Sequence, residues 1–393
     1  ITYNMKKNNN NLKKSNAMTE KKCYAEKNVM LKKTKEGNYM GFVTERADMY
    51  LDVILQTVKQ NVIPINNIEY QEGKSDLGTW QPVTQYWGMH DSWYLFRTEF
   101  IIPEEYNGNT VRISLITGRE DEWNANNPQF LVRVNGKVIQ ALDTNHTDFL
   151  LCENAKPSDR YEIYLEAYSG RDDETDGERF ISNPLIFKMN AFCSNSDAEG
   201  LYYDISVACE SAKLFVQKDY HRIQIETCLT DALNLLDLRL PGSDEYFKSV
   251  LDAHKFMKEK FYGELCGNSE SIANCVGHTH IDVAWLWTLE QTRAKAVRSF
   301  STEIALLNEY PEHKFASSQP QLYKYVKEDC PEVYEQIKKY TEEGRWEIEG
   351  AMWLEADCNL TSGESLIRQI LHGKRFMKEE FGKDSKILWL PDV

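Results

Sequence analysis

After residue 270 the apolar residues occur in four short segments, and the first three are each followed by a long stretch with the period of an amphipathic helix. The apolar segments are SIANCVG, KFASS, WEIEGAMW and KILWLPDV, and the helical stretches run near 288–310, 320–343 and 363–381. Strict alternation of strand and helix makes neighbouring strands parallel. The pattern predicts a parallel sheet or a (β/α) barrel over residues 267–393, and four strands would form only the first half of such a barrel.

The preceding segment has the period of strands. Six short stretches alternate apolar with polar residues: WYLFRTEFII, VRISLI, QFLVRV, KVIQAL, YEIYLEAY and PLIFKM. Asn135-Gly136 separates two of them, and this dipeptide favours the two-residue turn of a β-hairpin. The sequence therefore predicts an antiparallel β-sandwich over residues 70–192.

The remaining segments are helical or have little apolar pattern. Residues 193–266 contain apolar residues at helical spacing and predict a helical connector, whereas residues 44–69 predict a helix followed by a linker. Residues 1–43 are rich in lysine and asparagine, a composition that predicts a disordered tail. We therefore expect a multidomain chain with tail, helix and linker, sandwich, connector and half barrel in that order.

Charge and cysteine usage limit the partners and the compartment. Among the 393 residues, 61 acidic and 46 basic side chains give a net charge of −15, which repels nucleic-acid phosphates and anionic lipid. The nine cysteines are scattered without CxxC spacing, which indicates a reducing environment and not a disulfide scaffold or a structural zinc knuckle. No apolar run has the length of a membrane span. We expect a cytoplasmic protein with a neutral substrate and without nucleic-acid or membrane partners; homo-oligomerisation stays open.

Side chains that suit a metal ion follow the first apolar segment and end the last one. In β/α folds the site lies at the carboxyl ends of the strands. His280 and Asp282 lie two positions apart in GHTHIDVAW, so an extended backbone would direct both to one side, where they could bind one cation. Asp392 in ILWLPDV could reach that ion from a neighbouring strand. His278 is ambiguous, because His278-x-His280 also fits a two-histidine metal motif, and His278 could instead orient a ligand.

Aromatic and acidic residues gather near the same strand ends. Tryptophan rings stack on the C–H faces of sugars, so their grouping points to carbohydrate, although β/α cores also bury tryptophan. The four tryptophans are Trp285, Trp287, Trp353 and Trp389. Four acidic residues flank the third predicted strand, and some of them only solvate the loop: Glu347, Glu349, Glu355 and Asp357.

Three motifs carry a resemblance to a known family. GHTHIDVAWLW, GRWEIEGAMWLEADCNLTSGESLIRQ and WLPDV, in this order and at these distances, resemble the opening part of the catalytic domain of glycoside hydrolase family 38, the α-mannosidases. The resemblance is to the bacterial, vacuolar and cytosolic branch, and it covers about residues 45–393, the N-terminal portion only. It implies a β-sandwich, a helical connector and a (β/α)7 barrel that binds one zinc ion per chain.

The resemblance also implies roles for individual residues. His280 and Asp282 would be zinc ligands, Trp285 would line the pocket for the terminal mannose, and Asp392 would be both the third protein ligand and the catalytic nucleophile. In the family, the general acid and a fourth ligand, a histidine, lie further along the chain. We therefore expect a zinc-dependent retaining α-mannosidase that acts on terminal α-mannosyl residues of oligosaccharides, with residues 1–393 inactive by themselves.

Two other functions stay open. A metal-dependent amidohydrolase or polysaccharide deacetylase would use His278 and His280 together, and it would give no role to Asp392. A non-catalytic carbohydrate-binding protein would bind glycan through the sandwich, with tryptophans such as Trp80, Trp87 or Trp93.

Overall fold

The computed structural model of the chain describes residues 42–84, 86–89, 91–120, 128–170, 185–267 and 272–392. The tail predicted for residues 1–43 lies outside these residues except for its last two positions. The described residues form two compact units, one from residues 42–58 and 195–267, the other from residues 59–194 and 272–392 apart from the gaps above. None of the helices in this part of the chain combines the length and the apolar character needed to cross a bilayer.

The first unit is helical. It contains α1 (Phe42–Val58), α2 (Ser196–Lys213), α3 (Tyr220–Leu235), α4 (Asp244–Phe256) and a π-helix (Met257–Leu265) that continues α4. The side chains of Asn195, Asp219 and Ser243 cap α2, α3 and α4 by accepting a hydrogen bond from the backbone of the first turn. Apolar side chains of all four α-helices form one core. The helix predicted before the sandwich therefore packs with the helical connector.

The second unit begins with twelve strands of the described chain. They are β1 (Lys59–Ile65), β2 (Glu69–Glu72), β3 (Gln81–Pro82), β4 (Tyr86–Trp87), β5 (Trp93–Ile101), β6 (Val111–Ile116), β7 (Gln129–Val134), β8 (Lys137–Leu142), β9 (Asp148–Cys152), β10 (Arg160–Tyr168), β11 (Leu185–Ile186) and β12 (Lys188–Ser194). They pair as a four-stranded sheet of order β1-β12-β6-β9, a six-stranded sheet of order β3-β2-β5-β10-β7-β8 and the short pair β11-β4. All of these pairs are antiparallel, and the two large sheets share one core.

All six predicted strand segments contain strands, and the predicted hairpin turn is confirmed. Asn135 and Gly136 connect β7 to β8 with φ values of 50° and 78°, the left-handed pair that this hairpin turn requires. Strand β1 lies in the segment expected to be a linker, yet it pairs with β12 and extends the sheet to before residue 70. Its sequence, KQNVIPI, contains Pro64 and mostly exposed side chains, so no alternating pattern indicated a strand.

The rest of the second unit alternates strand and helix. It contains β13 (Gly277–His278), α5 (Leu289–Glu309), β14 (Phe315–Ser317), α6 (Pro320–Asp329), α7 (Pro331–Glu342), β15 (Trp346–Ile348) and α8 (Gly363–Phe381). Strands β13, β14 and β15 are parallel and hydrogen-bonded in that order. The alternation of periods therefore predicted a parallel sheet correctly.

Two details of this segment differ from the prediction. The single helix expected near 320–343 is two helices, because Pro331 lacks an N–H and disfavours helical geometry at Cys330, whose φ and ψ are −147° and 72°. The expected fourth strand, KILWLPDV, forms only one isolated parallel bridge, between Gly350 and Leu388. The described residues thus contain a parallel sheet of three strands, and the half barrel stays a prediction.

Part of the six-stranded sheet, around β7 and β8, is buried on both faces. One face lies against the four-stranded sheet, and on the other face Leu131 and Val138 join the core of the β/α segment. Polar contacts accompany this packing: the backbone N–H of Ala141 donates to Oγ1 of Thr302 at 3.2 Å. The sandwich and the β/α segment consequently belong to one compact unit, which contains the candidate site.

Candidate active site

His280 lies two residues after β13, at the carboxyl end of the parallel sheet. Its Nδ1 lies 2.7 Å from Oε2 of Glu355, and because a carboxylate only accepts, this nitrogen carries the proton. Its Nε2 lies 3.2 Å from Oδ1 of Asp282 and 3.6 Å from Oδ2 of Asp392. One ligand atom from each of His280, Asp282 and Asp392 lies within 4.8 Å of the other two. The structure therefore brings together the three residues that sequence reasoning selected as metal ligands.

The loop that carries His280 and Asp282 is held by side chains from other elements. Residues 279–288 do not continue β13 as an extended strand, so strand alternation does not explain their convergence. The indole N–H of Trp287 donates to the backbone oxygen of Asp282 at 3.2 Å, and the Gln319 amide donates to the backbone oxygen of Ile281 at 2.9 Å. These bonds hold the backbone between the two candidate ligands and at Asp282 itself.

The electrostatic setting of the cluster is acidic. Burial lowers the pKa of His280, but the carboxylates of Glu355 and Asp282 outweigh this effect and raise the pKa above its ordinary value. The side chain of Asp392 is 74% exposed, whereas that of Glu355 is 5% exposed. Three carboxylates around one imidazole favour a cation, and one nitrogen with two carboxylate oxygens is a donor set that zinc accepts.

His278 takes no part in the cluster. Its Nδ1–H donates to the backbone oxygen of Ala316 at 3.0 Å, and its Nε2 accepts from the indole N–H of Trp389 at 3.2 Å. Both ring nitrogens are therefore engaged, and neither has a lone pair free for a metal. This geometry disfavours a site built from His278 and His280, and it gives His278 the role of holding Trp389.

Some tryptophans near the strand ends are hydrogen-bonded within the protein, whereas Trp285 has a largely exposed ring. Trp287 and Trp353 use their indole N–H groups within the fold, Trp353 by donating to Oε1 of Gln321 at 3.1 Å. Trp285 is 57% exposed and meets Trp287 edge to face, with 5.1 Å between ring centroids. The ring of Trp285 is thus accessible from solvent, and its role in sugar binding stays a prediction.

The sandwich tryptophans give little support to a separate glycan site. Trp87 is 4% exposed and packs in the sandwich core. The Lys74 ammonium lies 3.7 Å from the ring centroid of Trp93, and the Arg97 guanidinium lies 4.1 Å from that of Trp80. A buried ring cannot stack on a sugar, and the other two rings each have one face covered by a cation.

Sequence reasoning did not single out Glu355. It placed this residue among four acids around the third apolar segment, whereas in the structure Glu355 accepts hydrogen bonds from both His280 and the hydroxyl of Ser318. A backbone signal accompanies it: Gln319 and Ala351 have φ values of 62° and 57°, which are uncommon for residues other than glycine and gather at functional sites. No spacing rule could have paired Glu355 with a histidine 75 positions away.

A second acidic group lies in the helical unit, formed by Asp48, Cys209 and Glu210. The Lys213 ammonium lies 3.3 Å from Asp48 and 2.7 Å from Glu210, so a cation already occupies this group. Burial raises the pKa of the Cys209 thiol to about 11, which disfavours the thiolate that a metal needs. The cluster around His280 is the better metal site.

Comparisons with known proteins give matches to one family. Residues 271–393 match the family described as "Glycosyl hydrolases family 38 N-terminal domain". Alpha-mannosidase G of Dictyostelium discoideum is 30% identical over 83% of this chain and 29% of its own length. Alpha-mannosidase 2C1 of Mus musculus is 30% identical over 76% of this chain and 28% of its own length. Alpha-mannosidase of Saccharomyces cerevisiae is 35% identical over 56% of this chain and 20% of its own length.

This chain spans less than a third of the length of these three relatives. The matched region begins just before β13 and contains His280, Asp282 and Asp392, the residues that the resemblance selected as ligands. The motifs, the family match and the relatives all point to the same group, which confirms the resemblance. The chain belongs to glycosyl hydrolase family 38.

Proposed function

We propose that this chain is the N-terminal part of a zinc-dependent retaining α-mannosidase that removes terminal α-mannosyl residues from oligosaccharides. The proposal depends on one observation, the convergence of ligand atoms from His280, Asp282 and Asp392 within 4.8 Å. Family membership supports the glycosidase class, and the names of the relatives support an α-mannoside as substrate.

The donor set supports zinc as the metal. His280 would supply an imidazole nitrogen, and Asp282 and Asp392 would supply carboxylate oxygens, all of which are common zinc ligands. The second ring nitrogen of His280 already donates to a carboxylate, one of the groups that usually accept this hydrogen bond from a metal-bound histidine. When bound, the ion would hold the hydroxyl groups of the terminal sugar and stabilise charge in the transition state.

Asp392 and Trp285 would act on the sugar itself. The Asp392 carboxylate is largely exposed, so it could approach the anomeric carbon, form a glycosyl ester and expel the leaving oxygen. A retaining enzyme also needs a second carboxyl group, about 5–5.5 Å from the first, which protonates the leaving oxygen and later activates water. In the family this acid lies beyond the matched portion, so we expect residues 1–393 to bind zinc without turnover. The exposed ring of Trp285 would stack on the terminal mannose.

A cytoplasmic location is part of the proposal. All eight cysteines in the described part of the chain are free thiols, which supports a reducing compartment. Fractionation of cells that express the protein would test the location, and recovery in an oxidising compartment would contradict it. The assignment to the bacterial, vacuolar and cytosolic branch of the family stays a prediction.

The test of the activity uses the full open reading frame that encodes these residues and an aryl α-mannoside as substrate. We expect chelation to abolish turnover and added zinc to restore it. Asp392→Asn should lower kcat about a thousandfold or more, because a neutral amide is a poor nucleophile. His280→Ala should lose the metal.

The control is Asp384→Asn, because Asp384 pairs with Lys374 at 2.7 Å and lies outside the cluster. This variant should keep full turnover. Normal turnover in Asp392→Asn would show that the nucleophile is another residue, and turnover that survives chelation would contradict the metal site.

A further inference from the structure

We propose that Glu355 is a positioning residue for the metal site, which fixes the tautomer and the ring orientation of His280 so that Nε2 faces Asp282 and Asp392. The inference rests on the proposed function, because it concerns the same cluster. It adds a residue whose side chain need not touch the metal or the substrate.

The burial of Glu355 shows that its contacts are specific. Its side chain is 5% exposed, and in the described part of the chain its ion pair is with His280, with no lysine or arginine beside it. Oε2 accepts from His280, and Oε1 accepts from the Ser318 hydroxyl. A buried carboxylate costs free energy unless both oxygens are satisfied, and here an imidazole and a hydroxyl satisfy them. Asp357, two residues later, is exposed.

The contact decides which nitrogen of His280 carries the proton. Glu355 can only accept, so it holds the proton on Nδ1 and leaves the lone pair of Nε2 towards Asp282 and Asp392. Without Glu355, the proton could move to Nε2 and donate to Asp282, which lies 3.2 Å away. That tautomer has no lone pair for a metal, so the carboxylate of Glu355 keeps the ligand nitrogen available.

Glu355 is itself held by two residues that directly follow β14, Ser318 and Gln319. Its backbone N–H donates to Oε1 of Gln319 at 3.4 Å, and Gln319 has a left-handed φ of 62°. Gly350, with a φ of 124°, lies so close to Ser318 that an added Cβ would be 2.6 Å from the Ser318 Cβ. The chain therefore uses two uncommon backbone conformations next to the groups that contact Glu355.

The experiment measures zinc affinity and the His280 tautomer in the 393-residue chain. Zinc affinity is obtained by competition with a chromophoric chelator, and the tautomer by NMR of the metal-free protein labelled with 15N-histidine. Glu355→Ala should weaken zinc binding about 10- to 100-fold and shift His280 towards the Nε2–H form. Glu355→Gln should weaken it about tenfold, because a neutral amide oxygen holds the Nδ1 proton less strongly.

Asp357→Asn is the matched control, since it removes an exposed carboxylate from the same loop. It should leave both the affinity and the tautomer unchanged. Unchanged affinity and an unchanged Nδ1–H tautomer in Glu355→Ala would overturn the inference. If that variant does not fold, the same result in Glu355→Gln would overturn it. Equal zinc binding by the unaltered chain and His280→Ala would instead contradict the proposed metal site itself.

Discussion

Lys295 on α5 is a partly buried cation whose ammonium lies 4.6 Å from the ring centroid of Trp287 and whose pKa is lowered in the folded protein. It lines a small cavity together with other titratable side chains: Asp143, His146, Arg298 and Glu303. Burial and the neighbouring Arg298 lower the pKa of Lys295 from 10.5 to about 8, and Asp143 offsets part of this effect. The folded protein therefore holds this proton less tightly than the unfolded chain does.

We predict that Lys295→Met raises the free energy of unfolding at pH 7 by about 1–3 kcal/mol. Because the folded pKa lies below the unfolded one, the penalty is full below about pH 8 and is relieved as the pH rises towards about 10.5. Urea unfolding at pH 7 and pH 9.5 should show a rise in stability with pH that the variant lacks. Lys314→Met, at an exposed lysine, is the control. A parallel pH dependence in unaltered protein and Lys295→Met would contradict the prediction.

His278 offers a second test at the scale of one residue. We expect His278→Ala to keep zinc affinity within about threefold, since both nitrogens of this ring bond to protein groups. The same chelator competition used for His280→Ala measures the effect. A loss as large as that of His280→Ala would restore the two-histidine metal site as the better interpretation.

Helix α8 packs on the loop that follows β15 through a glycine. A Cβ added at Gly373 would lie 2.2 Å from the backbone oxygen of Ala351 and 2.8 Å from the backbone N of Trp353, where neither backbone group can move aside easily. The helix thus touches the backbone of the loop that carries Glu355. The close packing of α8 against this loop therefore helps to hold Glu355 in place.

We predict that Gly373→Ala lowers the free energy of unfolding by about 1–3 kcal/mol, because overpacking outweighs the gain in helix propensity. Gly363→Ala at the start of the same helix is the matched control, since nothing lies within 4 Å of its added Cβ. That change should be neutral or stabilise by up to about 1 kcal/mol. Thermal unfolding measures the stability of both variants. Equal stabilities would show that α8 does not pack this closely on the loop.

At the scale of the whole molecule, a buried polar group joins the sandwich to the β/α segment. Gln291 is 6% exposed, and its amide donates to the Tyr168 hydroxyl at 2.6 Å and to Oδ1 of Asp91 at 3.0 Å. Together with the apolar side chains of Leu131 and Val138, this contact makes the two parts one compact unit. They should therefore unfold together.

We predict that Gln291→Ala lowers the free energy of unfolding by about 1–3 kcal/mol, because the buried hydroxyl of Tyr168 loses a hydrogen bond. Glu290→Ala removes the adjacent, 66% exposed side chain and its ion pair with Lys74, and should change stability by less than about 1 kcal/mol. Unfolding followed by circular dichroism and by fluorescence gives the free energy of unfolding of each variant. Similar losses in both variants would mean that the buried contact is not specific.

Much of the fold was readable from local pattern. The period of two marked the central sandwich strands, and the positive φ values of Asn135 and Gly136 confirm the hairpin turn expected from their residue types. Two expectations were wrong. Pro331 divides the helix expected near 320–343 through a local effect, whereas KILWLPDV forms a single bridge despite its apolar composition because tertiary context decides its pairing. The spacing of His280 and Asp282 suggested a shared cation, and the resemblance of the three motifs to a known family linked both residues to Asp392.

The sequence by itself determined the types and order of most elements, because apolar period and turn residues act over a few neighbouring positions. It also identified the candidate ligands, because the order of the motifs can be compared directly with that of a known family. Only the tertiary structure decided that Glu355 binds His280 from 75 positions away, that both nitrogens of His278 are engaged, and that Leu131 faces a helix outside the sandwich. Those contacts depend on how elements that are distant in the sequence pack against one another, and no pattern of neighbouring residues specifies that packing.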